Sequence, residues 1–138
     1  MSNFDKNILI MSPLIIESSS ETPEIILDKK SNTFVFKGKS FPENPIYFYE
    51  PVLNWLDDYI ANPNDQTKVD FMMAYFNTSS SKIILDIMKR LELVQKSGHE
   101  VIINWMFRED DEDMLEAGEI YSERVGITFN LIPNDDVN

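Results

Sequence analysis

A chain of 138 residues with 43% hydrophobic and 12% aromatic side chains is long enough to bury its own core and too apolar to remain disordered, so it reads as one domain over residues 1–138. Twelve basic residues against twenty-four acidic ones leave a net charge of −12, the wrong sign for nucleic-acid phosphates or an anionic bilayer, and both are excluded as partners. The absence of cysteine removes disulfides, thiol catalysis and the usual zinc-finger ligands, and the lone His99 cannot complete a Ser-His-Asp triad.

Residues 1–12 begin polar, carry an apolar patch at Ile8-Leu9-Ile10-Met11, and read as a disordered N-terminal extension. With no basic start, no small-residue cleavage site and no apolar run near the ~20 residues that span a bilayer, the protein is expected in the cytoplasm. Leu14-Ile15-Ile16 reads as a short strand, and Ser18 to Pro23 has the composition of a loop. Glu24 to Leu27 and Thr33 to Lys37 form a hairpin across the turn-like Asp28 to Asn32, closed by Lys37-Gly38-Lys39-Ser40. In Phe41-Pro42-Glu43-Asn44-Pro45 the prolines bar a helix interior, while Glu43 and Asn44 can cap a helix start. The next helix is predicted from Tyr49 to Ala61, with Val52, Leu53, Leu56, Tyr59 and Ile60 as its apolar stripe and Pro51 in its first turn.

Val69 to Phe76 is the pattern of a buried strand, and Ile83, Ile84, Ile87, Met88, Leu91 and Val94 recur downstream at helical spacing until Ser97-Gly98. Val101 to Phe107 is almost continuously apolar and predicts a strand covered on both faces. The acidic run Glu109 to Asp113 leads into a helix ending near Val125, Ile127 to Ile132 is the last strand, and residues 134–138 form a frayed acidic tail. The order implies an α/β fold: a mixed β-sheet with an N-terminal hairpin, about three α-helices and parallel crossovers.

Between the central strand and its helix stands Asn77-Thr78-Ser79-Ser80-Ser81-Lys82. A helix start leaves backbone N–H groups unpaired and carries partial positive charge, so a hydroxyl there can cap it and a phosphate can be held by it. Thr78 or Ser79 as N-cap is one reading. One cap needs one hydroxyl, however, and the run supplies four, which points to a phosphorylated side chain. A second function class pairs Ser79 or Ser80 with Lys82 in a small hydrolase, although no orienting residue or Gly-lined oxyanion hole accompanies them. A third class makes Asp110 to Asp113 a metal-binding module. That run lacks the glycine and the distant glutamate of a calcium loop, and carboxylates favour a helix start in any case. The same exposed charges can steer a basic partner. Most of Trp55, Trp105, Tyr47, Phe48 and Tyr49 are assigned to the core, with rims able to anchor a partner.

Taken together, Asn77-Thr78-Ser79-Ser80-Ser81-Lys82 and Ser40-Phe41-Pro42-Glu43-Asn44 give the chain a resemblance to the SiaC-like bacterial regulatory phosphoproteins, similar in fold to the STAS anti-sigma-factor antagonists. Supporting matches are Thr22-Pro23, the Trp55-to-Tyr59 helix, Val101 to Phe107 with Trp105, Asp111-Glu112-Asp113-Met114 and Glu116-Ala117-Gly118-Glu119, covering most of Leu14 to Ile132. The resemblance implies a non-enzymatic protein with no catalytic residue, cofactor or metal. It implies that a Ser/Thr kinase of histidine-kinase-like fold phosphorylates Thr78, that a PPM-type phosphatase clears it, and that the unmodified form activates a diguanylate cyclase, setting cyclic di-GMP levels and biofilm growth. Asn77, Ser79, Ser80, Ser81 and Lys82 flank that site; Pro42, Glu43, Asn44, Asp111 and Asp113 are the expected partner-binding residues. STAS relatives usually carry Asp-Ser at the turn where this chain has Asn77-Thr78, so Ser79 stands as the alternative modified residue.

Overall fold

Strict alternation of large apolar side chains sets the two faces of the sheet. In the computed structural model, which describes residues 11–138, the elements are β1 (Leu14–Ile16), β2 (Glu24–Asp28), β3 (Thr33–Ser40), α1 (Pro45–Ile60), β4 (Gln66–Phe76), α2 (Thr78–Lys96), β5 (Glu100–Phe107), α3 (Glu112–Arg124) and β6 (Thr128–Pro133). The strands lie side by side in chain order, antiparallel from β1 to β3 and parallel from β3 to β6. Because each parallel crossover is right-handed and the order never reverses, all three helices fall on one face. The row Ile25, Phe36, Phe71, Trp105, Leu131 runs across that face under them. Phe36 stacks on Phe71 at 4.8 Å, and Trp105 packs against Phe71, Phe76 and Tyr121. The expected mixed α/β architecture with an N-terminal hairpin and about three helices is the one observed among the described residues.

The differences have local causes. β5 was expected to be covered on both faces, but only Val101, Ile103, Trp105 and Phe107 are buried; the opposite side chains, Ile102, Asn104 and Met106, stay half-exposed because no helix among the described residues crosses there. The hairpin does not close at Lys37: with Gly38 at φ +119° and a register shift between Gly38 and Lys39, β3 continues beside β4 to Ser40. α1 starts at Pro45, capped by Asn44, whose Oδ1 accepts the Tyr47 N–H at 3.1 Å. Pro51 therefore sits inside the helix, on its exposed side, where water can take the carbonyl that the missing N–H leaves free.

Residues 11–12 and the C-terminal tail are tied down more than the sequence implies. Residues 1–10 of the predicted extension lie outside the described residues; Met11 packs against the core and the Ser12 carbonyl accepts the Trp55 indole N–H at 2.9 Å. The tail predicted to fray turns back instead. The Asn134 N–H donates to the Phe107 carbonyl at 2.7 Å, and Val137 is 1% exposed, so its burial holds the last turn.

Candidate functional site

Parallel strands joined through helices on one face bring every helix N-terminus to the same edge of the sheet, beyond the carboxyl ends of β3, β4 and β5. Asn44, Thr78 and Asp111 therefore share one end of the molecule. The cap of α2 is neither of the hydroxyls expected there. Asn77, in extended conformation, accepts the Ser80 N–H on its Oδ1 at 2.9 Å, and its carbonyl accepts the Ser81 N–H. The sequence pattern pointed at the hydroxyls because they are many; an amide oxygen one residue earlier does the same work.

Asn77 thereby splits the run into two kinds of side chain. Ser80 is fully buried and Ser81 donates back to the Thr78 carbonyl at 2.6 Å. Thr78 and Ser79 are exposed, and neither hydroxyl bonds to another described residue. The first-turn amides of these same two residues also find no acceptor among the described residues, in a spot that the helix dipole makes partly positive. Thr78 thus occupies the first helical position with a free hydroxyl that capping does not require.

The turn beneath is held from three sides. The Asn77 N–H donates to the Ser40 carbonyl at 3.1 Å, and Ser40 Oγ donates to Ser80 Oγ at 2.8 Å. Tyr49 Oη lies 2.6 Å from Ser40 Oγ, and since the one serine proton is already committed to Ser80, the phenol donates. Burial pushes the Tyr49 phenol up to about 12 although its bond to Ser40 pulls the other way, so it keeps that proton through any physiological pH. From α3, the Tyr121 hydroxyl donates to the Ser81 carbonyl at 2.8 Å; burial raises its pKa as well. None of Ser40, Tyr49 and Tyr121 was expected as a site residue from the sequence, where Ser40 closes the predicted hairpin and Tyr49 belongs to the aromatic cluster assigned to the core. Ser80→Ala should cost about 1–3 kcal/mol, because it strands a buried Ser40 proton, and should do so without exposing or burying Thr78; thermal unfolding gives the first number and susceptibility of Thr78 to phosphorylation the second.

This geometry argues against the hydrolase reading. Ser80 is sealed in a hydrogen-bonded chain, and Lys82 makes no hydrogen bond to Ser79 or Ser80 among the described residues. In the acidic run, Asp111 caps α3 by accepting the Met114 N–H at 3.0 Å, Asp110 pairs with Arg108 at 3.3 Å, and Glu112 and Asp113 face solvent in the first turn. No three His, Cys, Asp or Glu side chains among the described residues are placed to share a metal ion.

Of the expected partner-binding residues, Pro42 is buried and cannot meet a partner directly, Asn44 is engaged as the α1 cap, and Glu43 is exposed. What the same edge presents instead is apolar. Ile46 and Tyr47 are 75% and 77% exposed, and Phe41 and Tyr75, also exposed, meet edge to face at 5.8 Å. No helix among the described residues is long and apolar enough to cross a membrane.

Over residues 16–134 the sequence matches the family described as SiaC family regulatory phosphoprotein. The crystal structure of apo-SiaC from Pseudomonas aeruginosa superposes with a TM-score of 0.81 at 29% identity, covering 88% of this chain and 99% of that one. A chain from the crystal structure of diguanylate cyclase SiaD in complex with its activator SiaC, from the same organism, gives a TM-score of 0.82 at 27% identity over 88% of this chain and 99% of its own length. Among curated sequences, an uncharacterized protein of P. aeruginosa strain UCBPP-PA14 is 29% identical over 126 residues, 91% of this chain and 100% of the relative.

Proposed function

Because the chain belongs to the SiaC family of regulatory phosphoproteins, we propose that it is a non-enzymatic, cytoplasmic signalling protein whose reversible phosphorylation on Thr78 switches its binding to a diguanylate cyclase. The observation that carries this reading is the exposed hydroxyl of Thr78 at the first position of a helix already capped by Asn77. A phosphate there adds about −1.5 to −2 charges and three acceptor oxygens, with the Thr78 and Ser79 amides at hand to receive them. The cap survives, so the fold tolerates the ester.

The partner side of the proposal draws on the P. aeruginosa complex, in which a SiaC is the activator of a diguanylate cyclase. Unmodified, the edge carrying Phe41, Ile46, Tyr47 and Tyr75 offers the aromatic and aliphatic anchors that protein interfaces favour. A Ser/Thr kinase of histidine-kinase-like fold would write the phosphate and a PPM-type phosphatase would erase it, so that cyclic di-GMP output follows the modification. Intact-mass measurement and phosphopeptide mapping of the protein taken from its native host test this directly. One added phosphate on Thr78 is expected; a phosphate confined to Ser79, or none under any growth condition, overturns the assignment.

A further inference from the structure

Among the described residues the sheet ends in two open edges, and they are unlike. β1 on one side is three residues long, whereas β6 on the other runs for six and has no charged residue, in a chain where 26% of residues are charged. Edge strands are ordinarily blunted by lysines, bulges or a covering segment, because their unpaired backbone groups invite another strand; β6 has only Pro133 at its end. The Asn134 N–H donates inward, to the Phe107 carbonyl, and backbone groups alternate sides along a strand, so Phe129 and Leu131 turn their N–H and C=O groups outward. No described residue bonds to them there. A side-chain ladder ends at the same edge. On the face opposite the helices, Asp70, Asn104 and Asn130 stand in register on β4, β5 and β6. Asn104 Nδ2 donates to Asp70 Oδ1, and Asn130 Nδ2 to Asn104 Oδ1, each at 3.0 Å. Because the carboxylate only accepts, the direction of the ladder is set. Exposed Asn130 is left with its Oδ1 and one N–H bonded to nothing among the described residues.

We infer that β6 pairs antiparallel with β6 of a second copy of this chain, about a twofold axis through Asn130. That register sets Phe129 opposite the partner's Leu131 and Leu131 opposite the partner's Phe129, so the outward N–H and C=O groups become the hydrogen-bonded pairs of an antiparallel ladder. Asn130 then faces its own copy as a non-hydrogen-bonded pair, where Cα atoms approach to about 4.5 Å and side chains come closest. Each amide there offers the N–H and the oxygen that the other needs, and the side-chain ladder runs unbroken from Asp70 of one copy to the partner's Asp70. An extended segment of another protein would use the backbone edge alone; a second copy also supplies the matching amide on the axis. The absence of charge on β6 spares two strongly acidic molecules a direct repulsion at the contact. Antiparallel pairing also keeps Asp135 and Asp136, which follow β6, at opposite ends of the interface from their counterparts. An edge contact of this kind buries less than the ~1,200–2,000 Å² of stable complexes, so the association is weak and depends on concentration.

Sedimentation velocity of the full chain from about 5 μM to about 1 mM should show a monomer–dimer equilibrium, with at least half of the chain dimeric at the upper end. Asn130→Lys and Asn130→Asp each set two like charges across the axis, and each is expected to weaken dimerisation at least tenfold while thermal melts show both variants folded. An equimolar mixture of the two should associate again as a one-to-one dimer, because the lysine of one copy then meets the aspartate of the other. Hydrogen exchange gives a second reading of the native chain. The amides of Phe129 and Leu131 should slow at least twofold between the dilute and the concentrated sample, while those of Thr128 and Asn130, which point toward β5, stay unchanged. A chain that remains monomeric over the whole range, a dimer that both variants leave intact, or a mixture that fails to associate overturns the inference. So does protection of Phe129 and Leu131 that is the same at every concentration, since the edge would then be covered within one chain.

Discussion

Gly118→Val should lower the midpoint of thermal unfolding by about 10 °C or more. Gly118 lies mid-way along α3, one turn after Met114, whose carbonyl accepts the Trp105 indole N–H at 2.9 Å. A Cβ built there would stand 2.5 Å from Trp105 Cδ1 and 2.7 Å from Leu131 Cδ2, closer than real contacts come. The indole cannot give way: it is 1% exposed and wedged among Phe71, Phe76 and Tyr121. Two effects compete in Gly118→Ala. Helix propensity favours alanine by about 1 kcal/mol, while overpacking typically costs about 1–3 kcal/mol. With Trp105 immobile the clash wins, and about 2 kcal/mol of net destabilisation is expected for alanine, more for valine with its added methyl groups. In a double-mutant cycle, Trp105→Phe should relieve part of the Gly118→Ala loss, giving a coupling of at least about 0.5 kcal/mol. A Gly118→Val protein that melts at the wild-type temperature would mean that α3 is not seated on Trp105.

Gly118 also shows where reading the sequence stops. A glycine inside a helical pattern signals some reason for its presence, but only the placement of Trp105 beneath it says what the reason is. The strands and helices themselves were legible because burial on one face imposes a period of two or 3.6 on the residues, and Phe34, Phe36, Val69 and Phe71 obey it as plainly as Ile83, Ile87 and Val94 do. Boundaries governed by capping were less so. Pro51 looked like a first-turn proline because that is where prolines are best tolerated, yet Asn44 and Pro45 form an equally good start and the exposed side of α1 accommodates the second ring. At the site, the location of the hydroxyl run at a strand-to-helix junction was readable from periodicity alone. Its division into buried Ser80 and exposed Thr78 was not, because it depends on Ser40 and Tyr49, 40 and 31 positions upstream of Ser80, meeting in the core. Nor did the pattern show which oxygen caps α2, since Asn, Ser and Thr are nearly equivalent in that role.

Replacing Thr78 with aspartate should weaken binding to the proposed cyclase partner by about a hundredfold while leaving the fold as stable as before or slightly more so. The two halves of that expectation have different origins. At the first position of α2 a carboxylate lies against unpaired amides and the positive end of the helix dipole, a placement that stabilises exposed helices by about 0.3–1 kcal/mol. Under a docked partner the same charge must leave water with no cation of its own except the exposed Lys82. Burying a charge so poorly compensated costs several kcal/mol, and about 2.7 kcal/mol already corresponds to a hundredfold loss. Alanine at this position removes the hydroxyl without adding charge, and because Asn77 rather than Thr78 caps the helix, it should bind within about threefold of the native chain and melt within ~0.5 kcal/mol of it. Salt distinguishes the mechanism from simple repulsion between acidic surfaces. Raising ionic strength from 0.15 M to 1 M shrinks the screening length from about 8 Å to about 3 Å, which would restore binding lost to long-range repulsion but not binding lost to desolvation. Calorimetric titration of the three proteins at both salt concentrations, beside their thermal melts, is the measurement. Aspartate and alanine variants of equal affinity would show that charge at Thr78 does not govern docking, and an aspartate defect that vanishes in 1 M salt would move the cause from the interface to the field of the whole molecule.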